Sequence, residues 1–293
     1  MRALLLKSLF HVFAALPLRV AYVLGIGLGG LFLLLSRKRQ RTARINLELC
    51  FPEMAAAARH RLLRHNFIEI GKSFAEIGAL WTRDRETINR LVRQTSGEQD
   101  LQRLIARGKG VILASPHLGA WEIVNLYCSM RYPFTALYRA PPMAQMGQLM
   151  RRARERFGAR LLPADNSGIR GLYKALERGE IVGMLPDQVP SRNSGSVFAP
   201  FFGIPANTMV LLSRLAIKTG APVVFAYAER LPQGLHYHIH FVPAPAAIGH
   251  GSVESSAVVV NQMVEQCVRA LPQQYQWIYK RFRGRPLGEK GFY

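Results

Sequence analysis

From Gly110 to the C-terminus, short apolar runs alternate with longer segments whose apolar residues recur every three or four positions. The short runs Val111–Ala114, Phe134–Tyr138, Ile181–Leu185, Val223–Ala228 and His236–Val242 read as strands. The longer segments Trp121–Met130, Met143–Phe157, Ser167–Glu177, Thr208–Lys218 and Ser252–Leu271 read as helices. This alternation predicts an α/β fold with a mostly parallel central sheet flanked by helices. Upstream, residues 42–94 read as helical, with Leu62, Leu63, Phe67, Ile70, Phe74, Ile77 and Leu80 at helical spacing on a core-facing stripe. Gly97 and the Gly108-Lys109-Gly110 turn bracket a short helix over Glu98–Ala106.

The N-terminal pattern is different. Val20 to Ser36 is an uncharged apolar run near the lower limit of about 20 residues for a spanning helix. Arg37, Lys38, Arg39 and Arg41 follow at once, as expected on the cytoplasmic side of a membrane segment. A secretory signal would carry small residues and a cleavage site there, so a membrane-associated helix is the preferred reading over a buried core helix. Residues 1–40 are expected to form the anchor and residues 41–293 a single domain on the cytoplasmic face of the membrane. The run leaves open whether the helix spans the bilayer or lies in the interface.

Charge adds a partner class. The 293 residues carry 39 Lys and Arg against 18 Asp and Glu, a formal net charge of +21, and such a surface attracts polyanions. Helix-turn-helix, zinc-finger and RNA-recognition signatures are absent and the N-terminus is apolar, which argues for a lipid surface or acidic protein and against nucleic acid. Cys50, Cys128 and Cys267 are far apart and read as buried thiols. No P-loop or dinucleotide fingerprint is present, so no cofactor is expected.

Candidate chemistry clusters at one turn. Ser115-Pro116-His117-Leu118-Gly119-Ala120-Trp121-Glu122 follows a strand-like run and opens a helix. His117 falls at the carboxyl end of the strand and Glu122 in the first turn of the helix, so the two side chains are expected to meet. An imidazole held by a carboxylate is a general base; a surface histidine beside a capping glutamate is the alternative. Asp187 also follows a strand-like run, so it opens onto the same cleft at the carboxyl edge of the sheet. It would orient an arginine or the substrate there, or cap a turn.

Arg44-Ile45-Asn46-Leu47-Glu48-Leu49-Cys50-Phe51-Pro52-Glu53, the His117–Glu122 run, Leu137-Tyr138-Arg139, Leu185-Pro186-Asp187-Gln188, Phe201-Phe202-Gly203 and Trp277-Ile278-Tyr279-Lys280-Arg281-Phe282 occur in that order. Together they resemble the late acyltransferases of lipid A biosynthesis, a family of Gram-negative bacteria within the glycerolipid acyltransferase superfamily. The resemblance covers nearly the whole chain. It implies a bacterial inner-membrane enzyme with a glycerolipid acyltransferase-like fold. It further implies a catalytic His117–Glu122 pair, acyl carrier protein as donor, and as acceptor a phosphorylated, Kdo-bearing glycolipid acylated on the 3-hydroxyl of an existing chain. Arg139, Arg156 and Arg170 are then candidates for phosphate or oxyanion binding. Arg156 is favoured within the Arg151–Arg156 cluster because an arginine is expected shortly before the Gly158 turn. Phe201, Phe202 and Gly203 would resemble an apolar wall near the acyl chain, with at least one aromatic in the core.

Ser115 lacks the G-x-S-x-G context of an elbow nucleophile and no cysteine has an activating neighbour, so direct transfer without a covalent intermediate is expected. His236, His238 and His240 share one strand face, but no fourth ligand supports zinc and no metal is assigned. A monomer is expected. Chain length of the donated acyl group and the position acylated are not encoded in any readable motif.

Overall fold

The computed structural model describes residues 12–141, 144–190, 195–231 and 236–293; Met143 and the first eleven residues, including Arg2 and Lys7, lie outside the described residues. Helices α1 (Leu18–Leu35), α2 (Arg37–Cys50), α3 (Ala56–Thr82) and α4 (Arg85–Leu91) precede β1 (Val92–Ser96) and α5 (Glu98–Ile105). The alternating part follows as β2 (Val111–Ala114), α6 (Trp121–Ser129), β3 (Phe134–Tyr138), α7 (Ala144–Glu155), β4 (Arg160–Pro163), α8 (Asn166–Glu177) and β5 (Ile181–Met184). A hairpin of β6 (Ser196–Phe201) and β7 (Ile204–Met209) leads to α9 (Leu211–Thr219), β8 (Val223–Arg230), β9 (Tyr237–Pro243) and α10 (Val253–Ala270).

Seven strands form one sheet in the order β1-β9-β8-β2-β5-β3-β4. Every pairing is parallel except β8 with β9, so β1 and β9 run against the other five. The expected mostly parallel sheet flanked by helices is therefore present. Successive strand residues face opposite layers, as the two-residue period demands. Ile112, Val182 and Phe225 enter one core layer with α2, α8, α9 and α10, whereas Leu113, Val224 and Ile239 enter the other with α5 and α6.

The expected helical tract over 42–94 is broken in three places. Phe51-Pro52 ends α2, Asp84 caps α4 by accepting the Thr87 N–H at 2.7 Å, and Val92 leaves the helical pattern to pair with β9. The predicted helix over Thr208–Lys218 begins only at Leu211, because Thr208 and Met209 complete β7. The turn of that hairpin is Phe202-Gly203, with φ of 50° and 75°. Two left-handed residues match the right-handed twist of a hairpin, and the Phe202 N–H donates to Glu265 Oε1 at 2.6 Å.

Helix α1 is long and apolar enough to cross a membrane by length and composition. Its glycines pack on α3: a Cβ on Gly71 would come within 2.1 Å of the Gly25 carbonyl oxygen, so only glycine permits this approach. Beside that contact lies a buried polar network. Arg230, on β8, donates from Nε to Glu76 Oε2 at 2.9 Å and from NH2 to Ser73 Oγ at 2.6 Å on α3. Tyr22 of α1 donates to Glu76 at 2.7 Å and Tyr237 of β9 at 2.9 Å. Burial alone would lower the Arg230 pKa, but the Glu76 charge and hydrogen bonds outweigh it and hold the guanidinium above its ordinary value. Arg230→Ala strands the Glu76 carboxylate without its cation, so a loss of about 3–5 kcal/mol is expected. A denaturant titration followed by circular dichroism measures it.

Candidate active site

The turn after β2 is fixed by backbone bonds to three neighbouring segments. Ser115 N–H donates to Met184 O at 2.8 Å, Gly119 N–H to Gln274 O at 3.0 Å and Ala120 N–H to Ala228 O at 2.8 Å. Gly119 has φ of 61°, and a Cβ there would lie 2.0 Å from the Ala228 carbonyl oxygen, so both conformation and space require glycine. Arg230 NH2 also donates to Gly119 O at 3.0 Å, which ties the turn to the buried network.

His117 is thereby set at the carboxyl end of β2, and Asp187 three residues beyond the adjacent β5. The Asp187 carboxylate clasps His117 twice, accepting the backbone N–H at Oδ2 (3.0 Å) and facing Nδ1 from Oδ1 (2.8 Å). Asp187 is 3% exposed. Burial would raise its carboxyl, but the His117 charge and hydrogen bonds prevail and hold it below the ordinary carboxylate range. An anionic partner on Nδ1 selects the tautomer with the proton there and leaves Nε2 bare. Gln188 Nε2 lies 3.2 Å from that nitrogen, a donor's position.

The expected contact of His117 with Glu122 is not formed. The first turn of α6 carries Glu122 toward α7, where Arg154 Nε donates to Oε2 at 3.1 Å and the guanidinium NH2 reaches Oε1. The chain distance from 117 to 122 permits a contact, but the opening of α6 aims the two side chains apart. The carboxylate that holds the histidine comes instead from 70 residues downstream. Asp187 thus orients His117, where the sequence suggested an arginine or the substrate. The two pairs remain close: Trp121 stands 5.3 Å from the His117 ring, and the Arg154 guanidinium lies 5.3 Å from the Trp121 ring.

A cavity of about 820 Å³ opens at His117. Its wall is mainly apolar, with Leu113, Val124, Phe134, Leu161, Met184 and Val210 from both layers of the fold, and Arg139 and Arg154 also reach it. Ser115 Oγ and the Asn125 amide face the same region without a hydrogen-bond partner among the described residues. An elongated apolar ligand with a polar end near His117 fits such a lining.

The remaining arginines separate. Arg139 lines the cavity, exposed at the end of β3. Arg156 does not: it donates to the carbonyls of Leu80, at 2.6 Å, and Arg83, and lies over the Phe157 ring at 4.1 Å. Those two bonds make it a strut between the end of α7 and α3, and burial lowers its pKa to about 10. Arg154, unranked within its cluster by sequence, is the member that reaches the cavity, and the run of arginines carried no signal that singled it out. Arg170 lies in a separate shallow hollow with Arg160 and Lys174.

Phe201 is a core residue at 1% exposed, and Phe202 packs edge-on against Phe51 and Trp277, so neither walls the cavity. The other motifs act as scaffold. Asn46 donates to the carbonyls of Trp277 and Tyr279, both at 2.7 Å, and the Tyr279 hydroxyl accepts the Val189 N–H at 3.0 Å beside Asp187-Gln188. Cys50, Cys128 and Cys267 are buried free thiols; burial pushes Cys267 up to about 12. His236 precedes β9, whereas His238 pairs with Ser96 at 2.7 Å and His240 with Glu229 at 3.1 Å.

Residues 3–284 match the family model described as bacterial lipid A biosynthesis acyltransferase. The chain belongs to this family. It is 32% identical over 274 residues to a lipid A biosynthesis lauroyltransferase of Escherichia coli, a match covering 93% of this chain and 88% of that protein. It is also 30% identical to the palmitoleoyltransferase of the same organism, over 95% of this chain and 90% of that one. The E. coli myristoyltransferase is 28% identical over 87% of this chain and 78% of its own length. The chain is therefore a lipid A acyltransferase by family, and the acyl groups in those names are properties of those relatives.

The two arginines of α7 and its end give a discriminating pair of lipid A acyltransferase variants. Arg156→Ala is expected to lower the unfolding midpoint while retaining turnover per folded molecule. Arg154→Ala is expected to lower turnover by at least about 10²-fold, since it removes the cavity-wall cation near Trp121 and leaves Glu122 unpaired. Parallel thermal melts and acyl-transfer assays separate the two.

Proposed function

We propose that this protein transfers a fatty acyl group from acyl carrier protein to the 3-hydroxyl of an acyl chain on a Kdo-bearing, phosphorylated lipid A precursor. The observation that carries the reading is the His117–Asp187 pair on the wall of a mainly apolar cavity, with Nδ1 held at 2.8 Å and Nε2 facing the Gln188 amide at 3.2 Å. A secondary hydroxyl needs a base, and Nε2 accepts its proton once the hydroxyl replaces the Gln188 amide. The alkoxide oxygen attacks the thioester carbonyl and forms a tetrahedral oxyanion. As the carbon–sulfur bond breaks, the imidazolium returns its proton to the leaving thiolate. No covalent enzyme intermediate is formed.

Asp187 stabilises the imidazolium and fixes the tautomer. Glu122 takes a different part from the base-holding one its spacing suggested. Both Glu122 carboxylate oxygens are taken up by the Arg154 guanidinium, so Glu122 acts as the positioning residue for Arg154. Arg154 supplies positive charge beside Trp121 and His117, where the oxyanion develops. Arg139 serves the acceptor's phosphate from the rim of the cavity. The anchor of residues 1–40 keeps the catalytic domain of residues 41–293 at the cytoplasmic face of the inner membrane, where the acceptor resides. The positive surface favours both anionic headgroups and an acidic carrier protein.

His117→Ala is expected to reduce transfer by about 10²–10⁴-fold with the fold intact. Asp187→Asn is expected to fall in the same range, because the amide no longer supports the cation. Because the Asp187 carboxyl titrates below its ordinary value, about 3.9, the pair's support is present above that value and is lost only as pH falls through the depressed one. Mass spectrometry of lipid A from a deletion strain tests the substrate: one acyl group should be missing and restored by the intact gene but not by His117→Ala. An unchanged profile would transfer the activity to another glycolipid or lysophospholipid. Activity with the protein-bound donor is also expected to fall with added salt more steeply than with a small thioester, and equal slopes in a salt titration would refute electrostatic recruitment.

A further inference from the structure

Both ends of α1 are fastened to the same body. At the N-terminal end, the Leu16 carbonyl accepts from Arg83 NH2 at 2.8 Å, just beyond the last turn of α3. The Arg83 carbonyl in turn accepts from Arg156, which follows the helix bearing Arg154. Mid-helix, Tyr22 reaches Glu76 on α3 and Tyr237 on β9, within 2.8 Å of each. One turn on, Gly25 and Gly29 lie against Gly71. At the C-terminal end the Phe32 ring lies 5.3 Å from Phe67, and the chain passes through Ser36 into α2, where Arg39 bonds the Ile278 carbonyl.

These contacts run antiparallel along α3: position 16 meets 83, position 25 meets 71 and position 32 meets 67. The helix has 18 residues, about 27 Å of rise. A spanning α1 would therefore carry Arg83, Glu76, Arg230 and the edge of the sheet through the hydrocarbon, where each charge costs several kcal/mol. Keeping those partners out of the hydrocarbon while α1 spans would give up its contacts with Arg83 and Glu76.

The outer face of α1 is nevertheless apolar and open. Val23 is 68% exposed and Leu34 and Leu35 are each 74% exposed, with Leu24 and Leu31 between them. Phe74 of α3, the helix packed on α1, is a further exposed apolar side chain, at 62%. Basic residues bracket it: Arg19 at one end and Arg37, Lys38, Arg39 and Arg41 at the other, all exposed. An apolar strip between two basic ends matches one leaflet with anionic headgroups.

We propose that α1 is a monotopic anchor, lying in one leaflet with both ends on the side of the catalytic domain and its Val23–Leu24–Leu31–Leu34 face in the lipid. The proposal rests on the membrane reading above and adds its topology. The three native cysteines are buried, so single reporters at exposed positions read topology in the full chain. Arg19→Cys and Lys38→Cys flank α1, and Glu254→Cys on α10 marks the catalytic domain. A membrane-impermeant maleimide is applied to spheroplasts and to inverted inner-membrane vesicles. All three sites are expected to react from one and the same side, with Arg19→Cys labelling comparable to Glu254→Cys. Reaction of Arg19→Cys from the side opposite Glu254→Cys, or from neither side, would overturn the monotopic topology in a protein that still sediments with membranes. Recovery of the protein in the soluble fraction would overturn the membrane reading together with it, while acyl transfer, assayed separately, stands or falls on its own.

Discussion

Arg230 has almost no contact with water, and its charge persists there because Glu76 meets it with both carboxylate oxygens. The pair joins parts of the chain that share no sequence neighbourhood. Glu76 and Ser73 bring α3, Arg230 brings β8, Tyr237 brings β9 and Tyr22 brings α1. Through the Gly119 carbonyl the same guanidinium holds the turn that presents His117. A buried ion pair contributes little net stability over an apolar substitute, yet losing one partner is costly. Its effect here is specificity of arrangement: helix α1, the sheet and the turn that bears His117 are joined through one set of donors and acceptors.

The geometry around His117 follows from that frame. β2 and β5 are adjacent parallel strands, so the segments leaving their carboxyl ends meet above the sheet. His117 and Asp187 meet there for that reason. Glu122, one step into α6, is directed to the neighbouring layer and finds Arg154. Two carboxylates thus hold two different partners near Trp121, Asp187 the His117 imidazole and Glu122 the Arg154 guanidinium. The cavity is lined mainly by apolar side chains from both layers, with His117, Arg139 and Arg154 also on its wall.

Much of the architecture was legible in the chain. Val111–Ala114 and Phe134–Tyr138 are strands at the bounds their apolar runs set, and α6, α8 and α10 agree within a residue or two. The failures have physical causes. Val92–Ser96 continues a helical pattern and has no apolar alternation; it is a strand because β9 offers it hydrogen bonds at the sheet edge. The β6–β7 hairpin was missed because its turn places Phe202 in the left-handed region, where aromatic residues give no sequence signal. Arg156 and Arg154 are equivalent in composition and two residues apart. That spacing puts them on different faces of the chain, one bonding α3 carbonyls and one facing the cavity.

By itself the sequence determined the class of fold, the strand-to-helix turn that carries His117, and the family, because periodicity, turn chemistry and ordered motifs are local or are read in order along the chain. It also supplied the apolar face and basic flanks of α1. Only the tertiary structure decided which carboxylate holds the histidine, which arginine enters the cavity, and that both ends of α1 are fastened to one body. Each of these is a pairing between distant segments: 70 residues separate His117 from Asp187, and 67 separate Leu16 from Arg83. A side chain's spacing limits which partners it can reach. The direction in which its helix or strand aims it, and what the opposing element offers, select among them.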